Sequence, residues 1–256
     1  MLSLSAFDRR SAILIHLRQQ GRASTRQLSD LFGVSEVTIR SDLALLEESG
    51  HLLRSHGGAE LVFPFLTEQP FAERQRVHLA EKAEIARAAA QLIEPGDHIM
   101  LDASTTAFQL AHALKDRRDL TVITNNVQAA ILLSGNPAID VILVGGQVRG
   151  GIWSVVGPLA EEMLAKLHAR RVFFGAAGLT LERGLTDANL REAQIKRAML
   201  AAADEVVVLL DASKFGQHAL VTFADFGAID SLITDDKIPP AYVEACRHFA
   251  IQLITV

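Results

Sequence analysis

The sequence predicts an α/β chain in two parts: a small helical amino-terminal domain closed by a hairpin, and a larger domain built on a mostly parallel sheet. Three observations carry that expectation. Apolar residues recur at helical spacing through the first sixty positions, and glycines end the runs. Further on, short aliphatic runs alternate with helical segments, the pattern of strands buried on both faces under covering helices. The length of 256 residues, 49% of them apolar and 21% charged, suits one sizeable domain plus a small one, with a packed core. The expected boundaries are residues 1–61, a linker over 62–75, and residues 76–256.

In the amino-terminal part, Ile13, Leu14 and Leu17 fall on one helical face and Gly21 ends that helix. Ser24 is placed to cap a short second helix whose Leu28, Leu31 and Phe32 share a stripe, and Gly33 stops it. Ser35 is placed to cap a third, carrying Ile39, Leu43 and Leu46 at i, i+4 and i+7, until Gly50 breaks it. In HLLRSHGGAEL, Gly57-Gly58 between short flanks predicts a tight hairpin. From Val62 to Gln75 the pattern loosens around Pro64 and Pro70, hence the linker. Beyond it the expected strands are HIMLDA from residue 98, LTVITNN from 120, DVILVGG from 140, RVFFGAAGL from 171, EVVVLLDAS from 205, SLITDD from 231 and IQLITV from 251. Helical stretches separate most of them: EKAEIARAAAQLI, AFQLAHAL, LAEEMLAKL, NLREAQIKRAMLAAA and PPAYVEACRHF.

Composition removes several function classes. The formal net charge of −5 gives no basic surplus of the kind that marks many nucleic-acid binders. Residues 1–60 carry seven arginines, no lysine and seven carboxylates, so positive charge there acts only if gathered on one face. The single cysteine, Cys246, excludes an intramolecular disulfide framework and suits a reducing compartment. With no apolar run of about 18 residues and no charged leader before a cleavage site, the expected location is cytoplasmic, with no membrane partner. Nine histidines lack paired metal-ligand spacing, and no serine or cysteine stands in a nucleophile motif. No metal, cofactor or catalytic residue is therefore expected.

STRQLSDLFGVSEVTIRSDLALLEESG places two short helices around a glycine turn, a helix-turn-helix spacing. With Ile39, Leu43 and Leu46 inward, Val37, Ser41 and Ala44 face outward, flanked by Thr38 and Arg40. That face suits DNA: Arg40 for guanine or phosphate, Thr38 for phosphate or a base, Val37 for a thymine methyl, with Ser35 and Ser41 beside them. Arg54 and His56 on the hairpin are placed as wing contacts. The same periodicity is also compatible with a three-helix unit that packs against a protein partner. Residues 28–61 resemble the winged helix-turn-helix of the DeoR/GlpR family of bacterial transcriptional regulators. Val34-Ser35, Thr38-Ile39-Arg40, Asp42-Leu43 and His56-Gly57-Gly58-Ala59 follow that family's order and spacing. Ser41 departs from the longer polar or basic residue usual there, a change expected to act on operator preference or affinity.

In an open parallel sheet ligands sit beyond the carboxyl ends of strands. Asp102-Ala103-Ser104-Thr105-Thr106 follows the first strand, where its hydroxyls and the next helix's amides serve either an anion or an ordinary cap. Asn125, Gly145, Gly146, Thr186 and Lys214 stand at or near other strand ends, and Glu192 near a helix start. Glu192 and Lys196, at i and i+4, also read as an exposed helix pair, and Lys214 as a solvated loop charge. These elements resemble the sensor domain of the same family, which is similar in fold to ribose-5-phosphate isomerase. The resemblance implies a phosphorylated sugar or related metabolite as effector. Asp102, Ser104, Thr105 and Thr106 would hold phosphate or hydroxyls, Asp102 being better placed for hydroxyls, with Asn125, Gly146 and Lys214 around them. In GAAGL, Ala177 stands where isomerase-like relatives have an acid, so binding without turnover is expected. The expectation is thus a repressor of sugar or polyol genes, acting on double-stranded operator DNA as a homodimer or homotetramer.

Overall fold

The computed structural model describes residues 6–48, 52–55, 57–61 and 70–256. The chain divides into two units, residues 1–68 and 69–256.

The first unit runs α1 (Ala6–Gln20), β1 (Arg22–Ser24), α2 (Thr25–Phe32), α3 (Glu36–Glu48), β2 (Leu52–Ser55) and β3 (Gly58–Leu61). Ser24 begins α2 as a reciprocal cap: its hydroxyl accepts from the Gln27 amide, and the Gln27 side chain accepts from the Ser24 amide. Gly33 ends α2 in the left-handed conformation at φ 64°. Ile13, Leu17, Leu28, Ile39, Leu43 and Leu46 form one buried core with Ala59 and Leu52 of the hairpin. The three strands make an antiparallel sheet in the order β1-β3-β2, a winged helix-turn-helix. One hairpin detail differs from expectation. Gly57 holds the turn at φ 93°, whereas Gly58 already begins β3 and pairs with Ser24. A Cβ on Gly58 would overlap the Ala23 carbonyl, so glycine is needed there for close strand approach.

The second unit begins with α4 (Phe71–Arg76), inside the stretch expected to be linker. Phe71 is buried and packs edge-on against Phe108, ring centroids 5.4 Å apart. The proline-interrupted pattern hid an anchored helix. Then follow α5 (Leu79–Ala90), β4 (His98–Leu101), α6 (Thr105–Leu114), β5 (Leu120–Thr124), α7 (Val127–Ser134), β6 (Ile139–Leu143), β7 (Gln147–Arg149), β8 (Ser154–Val156), α8 (Pro158–Leu164) and β9 (Ala169–Phe174). The remainder is β10 (Gly178–Thr180), β11 (Gly184–Asp187), α9 (Leu190–Ala201), β12 (Ala203–Leu209), β13 (Val221–Ala224), β14 (Ser231–Thr234), α10 (Pro240–His248) and β15 (Gln252–Thr255).

Seven strands form a parallel sheet in the order β15-β14-β12-β9-β4-β5-β6. Each overlaps one of the seven expected runs. Alternation along the strands divides two cores: Met100, Val172, Phe174, Val206, Val208 and Leu232 face one side, Ile99, Leu101, Phe173, Val207, Leu209 and Ile233 the other. The chain winds outward from β4 through β5 to β6, then crosses to β9 and winds the other way. The order therefore reverses between β4 and β9, and it is at such a reversal, beyond the carboxyl ends of the strands, that open α/β sheets take their ligands. The run RVFFGAAGL splits at Gly175, because β10 leaves the main sheet for a small antiparallel one, β10-β11-β13. The hairpin β7-β8 forms a further two-stranded sheet. These short strands lack the length and alternation that would mark them in sequence.

Phe173, with no exposed surface, fills the central strand β9. Phe173→Ala should destabilise the second unit by about 3–5 kcal/mol through lost burial and an unfilled cavity, measured by urea denaturation of the full chain; a loss under about 1 kcal/mol would mean the helices collapse onto the gap.

Candidate functional site

Asp102 follows β4 and Gly175 follows β9, so both stand at the sheet's point of reversal. Asp102 Oδ1 accepts from the amides of Ser104 (3.1 Å) and Gly175 (3.3 Å). Its Oδ2 lies 3.1 Å from Lys196 Nζ but is outside hydrogen-bonding geometry. Lys196 donates to Asp187 Oδ2 and to the Gly175 carbonyl, each at 2.7 Å. Burial alone would lower the lysine's pKa, but Asp187 and Asp102 outweigh it and hold the ammonium firmly protonated. A Cβ on Gly175 would come within 2.5 Å of Ser104 Cβ, so the two loops meet with no room for a side chain.

The expectation of an exposed Glu192–Lys196 pair is overturned. Both are buried on α9 with Ala193, Ile195 and Met199, and each has other partners. Arg149 Nη1 donates to Glu192 Oε1 at 2.6 Å, and the Ser154 hydroxyl donates to the same oxygen. Burial pushes the Glu192 carboxyl up, with Ser154 and Arg149 acting against it. Asp102, Asp187 and Glu192 thus share a small volume with Lys196 and Arg149, three carboxylates to two cations.

The other residues expected at the site divide into two groups. Ser104 caps α6, its hydroxyl accepting from the Ala107 amide at 3.1 Å, and Thr105 and Thr106 lie buried in the first turn. Asn125 donates through Nδ2 to the Val155 carbonyl at 3.2 Å and leaves Oδ1 buried without a donor. Gly145 and Gly146 lead from β6 into β7; Gly146 adopts φ 149° and packs against the Val156 carbonyl and Ala160. Thr186 does not reach the cluster with a free hydroxyl: Oγ1 donates to the Gly178 carbonyl at 3.1 Å and accepts from the Ala219 amide at 2.9 Å. Lys214 is half-buried in a short 3₁₀ turn after β12, and the cation beside Asp102 is Lys196 instead.

Lys82, Arg149 and Ser154 were not expected. Lys82 occupies the buried stripe of α5 with Ile85, Ala86, Ala89 and Ala90. Its Nζ donates to the carbonyls of Arg74 (2.7 Å) and Val77 (2.6 Å), within and just beyond the end of α4. Burial pushes its ammonium down to about 8, Asp211 opposing this and Lys214 and Arg74 adding to it. A lysine on an i, i+3, i+4, i+7 apolar stripe was a signal available in the sequence, as was Glu192 in register with Met199. Arg149 and Ser154 gave none, because only the hairpin fold brings them to α9.

In the first unit, Ser35 accepts from the Thr38 amide at 3.2 Å, and the two hydroxyls lie 2.9 Å apart. Val37, Arg40 and Ser41 are exposed along α3, Val37 with 72% of its surface free. Arg40 pairs with Glu36 at 2.9 Å. Arg54 is exposed on β2, near Glu47. His56 lies outside the described residues. Arg9 of α1 donates to Asp42 of α3 at 2.6 Å in a buried pair that joins the two helices. Among the described residues no three His, Cys, Asp or Glu side chains converge as a metal-holding group, and no helix is long and apolar enough to cross a membrane.

Residues 77–236 match the model of the DeoR C terminal sensor domain, and residues 9–64 that of the DeoR-like helix-turn-helix domain. The chain belongs to the DeoR family. Among DeoR-family relatives it is 39% identical to the HTH-type transcriptional regulator GolR of Listeria innocua, over 92% of each chain. It is 31% identical to the glycerol-3-phosphate regulon repressor of Escherichia coli K12, over 96% of this chain and 97% of that one. A solved ribose 5-phosphate isomerase A from Methanocaldococcus jannaschii aligns at 20% identity and a TM-score of 0.39, covering 52% of this chain and 53% of that one.

Lys82 gives a pH signature. Its pKa of about 8 lies below that of an unfolded lysine, so between the two values the unfolded chain binds the extra proton. Stability should rise with pH from about 8 toward about 10.4. Denaturation midpoints at stepped pH should show that rise in the wild type and a flatter slope in Lys82→Met; equal slopes would mean that Lys82 titrates alike in both states.

Proposed function

We propose that this chain is a cytoplasmic transcriptional repressor of sugar or polyol genes, which binds operator DNA through residues 1–61 and releases it when a phosphorylated sugar or related metabolite binds within residues 76–256. The observation that carries the reading is the reversal of strand order beside Asp102, where the amino terminus of α6 adjoins buried acceptors and a neutralising lysine. The cluster's excess of carboxylate repels a phosphate, so Asp102 and Asn125 take the ligand's hydroxyls. The anionic end lies toward Thr105, Thr106 and the amides of α6, with Lys82 and Lys214 as the cations on that edge. A relative named for a glycerol-3-phosphate regulon supports a small phosphorylated effector. Ala177, standing where the resemblance to isomerase-like relatives would place an acid, supports sensing over turnover.

On DNA, the exposed face of α3 enters the major groove: Arg40 reads guanine or grips phosphate, Val37 meets a thymine methyl, and Ser35, Thr38 and Ser41 make the polar contacts. Arg54 and His56 act from the wing. One recognition helix reads a half-site, so the working form is a homodimer or homotetramer.

Arg40→Ala should abolish operator retention in fluorescence anisotropy while leaving the melting curve unchanged; undiminished affinity would remove α3 as the reader. Purified protein screened by thermal shift against sugar phosphates should gain about 2.7 kcal/mol of stability at 100 times the Kd. A shift with a free sugar and none with its phosphate would overturn the phosphate assignment, and steady turnover of a pentose or hexose phosphate the assignment as a sensor.

A further inference from the structure

The hairpin β7-β8 is held by polar bonds to elements around the point of strand reversal. Arg149 and Ser154, one on each strand, both bind a single oxygen of Glu192. Asn125, at the end of β5, exchanges bonds with Val155: the Val155 amide donates to the Asn125 carbonyl at 2.8 Å and Asn125 Nδ2 donates back. The Val127 amide at the start of α7 donates to the Trp153 carbonyl at 2.9 Å. Gln147 accepts from Arg191 of α9 at 2.8 Å. In the turn, Gly151 and Trp153 adopt φ 73° and 62°, and for tryptophan that is a strained backbone.

The same turn has one further bond. The Gly151 carbonyl accepts from the amide of Phe71 at 2.9 Å. Phe71 is the first residue of α4, close after the start of the second unit, and its ring packs on Phe108 in the helix that Ser104 caps. Glu192 and Phe71 are 121 positions apart in sequence, by subtraction of their numbers, and the hairpin joins them by side-chain bonds at its strands and a backbone bond at its tip.

We propose that the effector and the hairpin compete for Glu192, and that the hairpin passes the outcome to Phe71 and hence to the segment joining the two units. The inference rests on the effector reading above, since it needs a ligand beside Asp102. Glu192 Oε1 already accepts from two donors, so a ligand hydroxyl that takes this carboxylate, or an anion that draws Arg149, changes what holds the hairpin. The ligand then interacts differently with the fastened and unfastened states, the condition for shifting a population between them. Loosening the turn removes the acceptor of the Phe71 amide and leaves the ring as the remaining anchor of α4 at its start. Arg149 and Ser154 are positioning residues in this scheme.

The test uses the full chain without ligand. Glu192→Gln weakens the hold on Arg149, so hydrogen exchange across residues 70–76 should accelerate and operator affinity should fall, within the roughly 5- to 150-fold range of ordinary coupling. Arg149→Lys keeps the charge but shortens the reach, and should act in the same direction if Glu192→Gln fails to fold. Arg170→Gln, which breaks an ion pair with Asp97 at the opposite end of the strands, should leave residues 70–76 and operator affinity at wild-type values. Folded Glu192→Gln with wild-type protection of 70–76 overturns the proposal. So does a sugar phosphate that stabilises the wild type yet leaves exchange of 70–76 unchanged, a result that spares the effector reading. Faster exchange in Glu192→Gln with no sugar phosphate binding the wild type supports the link from hairpin to Phe71 but removes the effector reading and, with it, the competition for Glu192.

Discussion

The second unit is organised around a buried lysine. Lys196 lies between Asp102 and Asp187 and donates to the Gly175 carbonyl, at the place where the order of the parallel strands reverses. An unpaired ammonium there would carry a desolvation cost of several kcal/mol, so each partner is obligatory once the lysine is present. The arrangement ties α9, the end of β4, the end of β9 and the small sheet through Asp187 to one charge. Gly175 follows from it, since the two loops approach too closely for a Cβ.

This arrangement places desolvated acceptors, and not apolar side chains alone, at the point where the strand order reverses. Asp102 Oδ2 and Asn125 Oδ1 are buried acceptors without a hydrogen-bond donor, and buried polar groups in that state are costly. Under the proposed function, a polyhydroxylated ligand supplies donors to these oxygens. The hairpin bearing Arg149 and Ser154 covers part of the same cluster, and through Gly151 it reaches the first residue of α4. In the proposed scheme, recognition and signal transmission draw on the same carboxylate, Glu192.

In the first unit the corresponding constraint is Asp42. Its carboxylate receives Arg9 at 2.6 Å and Arg10 at 3.4 Å, so α1 fixes α3 from its inner side while Val37, Arg40 and Ser41 stay outward. Two of the seven arginines counted in the sequence serve this internal purpose, and Arg40 on the outer face is paired with Glu36. The absence of a basic surplus in these sixty residues follows from that division: some charge builds the fold and some faces outward.

Local pattern determined much of this protein. Helical spacing placed Ile39, Leu43 and Leu46 inward; Ser24 and Gly33 marked the ends of α2; seven aliphatic runs became the seven parallel strands. These features depend on near neighbours in the chain, so a reader of sequence has access to them. Tertiary structure decided the remainder. Glu192 and Lys196 have the spacing of a surface pair, yet α9 packs that stripe inward, where Arg149 and Asp187 are the better partners. Lys82 lies on an apolar stripe that periodicity revealed, but only the fold brings it under the carbonyls of Arg74 and Val77. Phe71 sits in a proline-broken segment without period, and its helix is stabilised by Phe108 and the Gly151 carbonyl rather than by its own six residues. For Glu192, Lys196 and Phe71 the physical reason is the same: the energy of a buried charge or a short helix lies largely in contacts distant along the chain, which exist only once the sheet has brought its strand ends together. The acceptors of Lys82 are only eight and five positions back, but they face it only once α4 and α5 have packed.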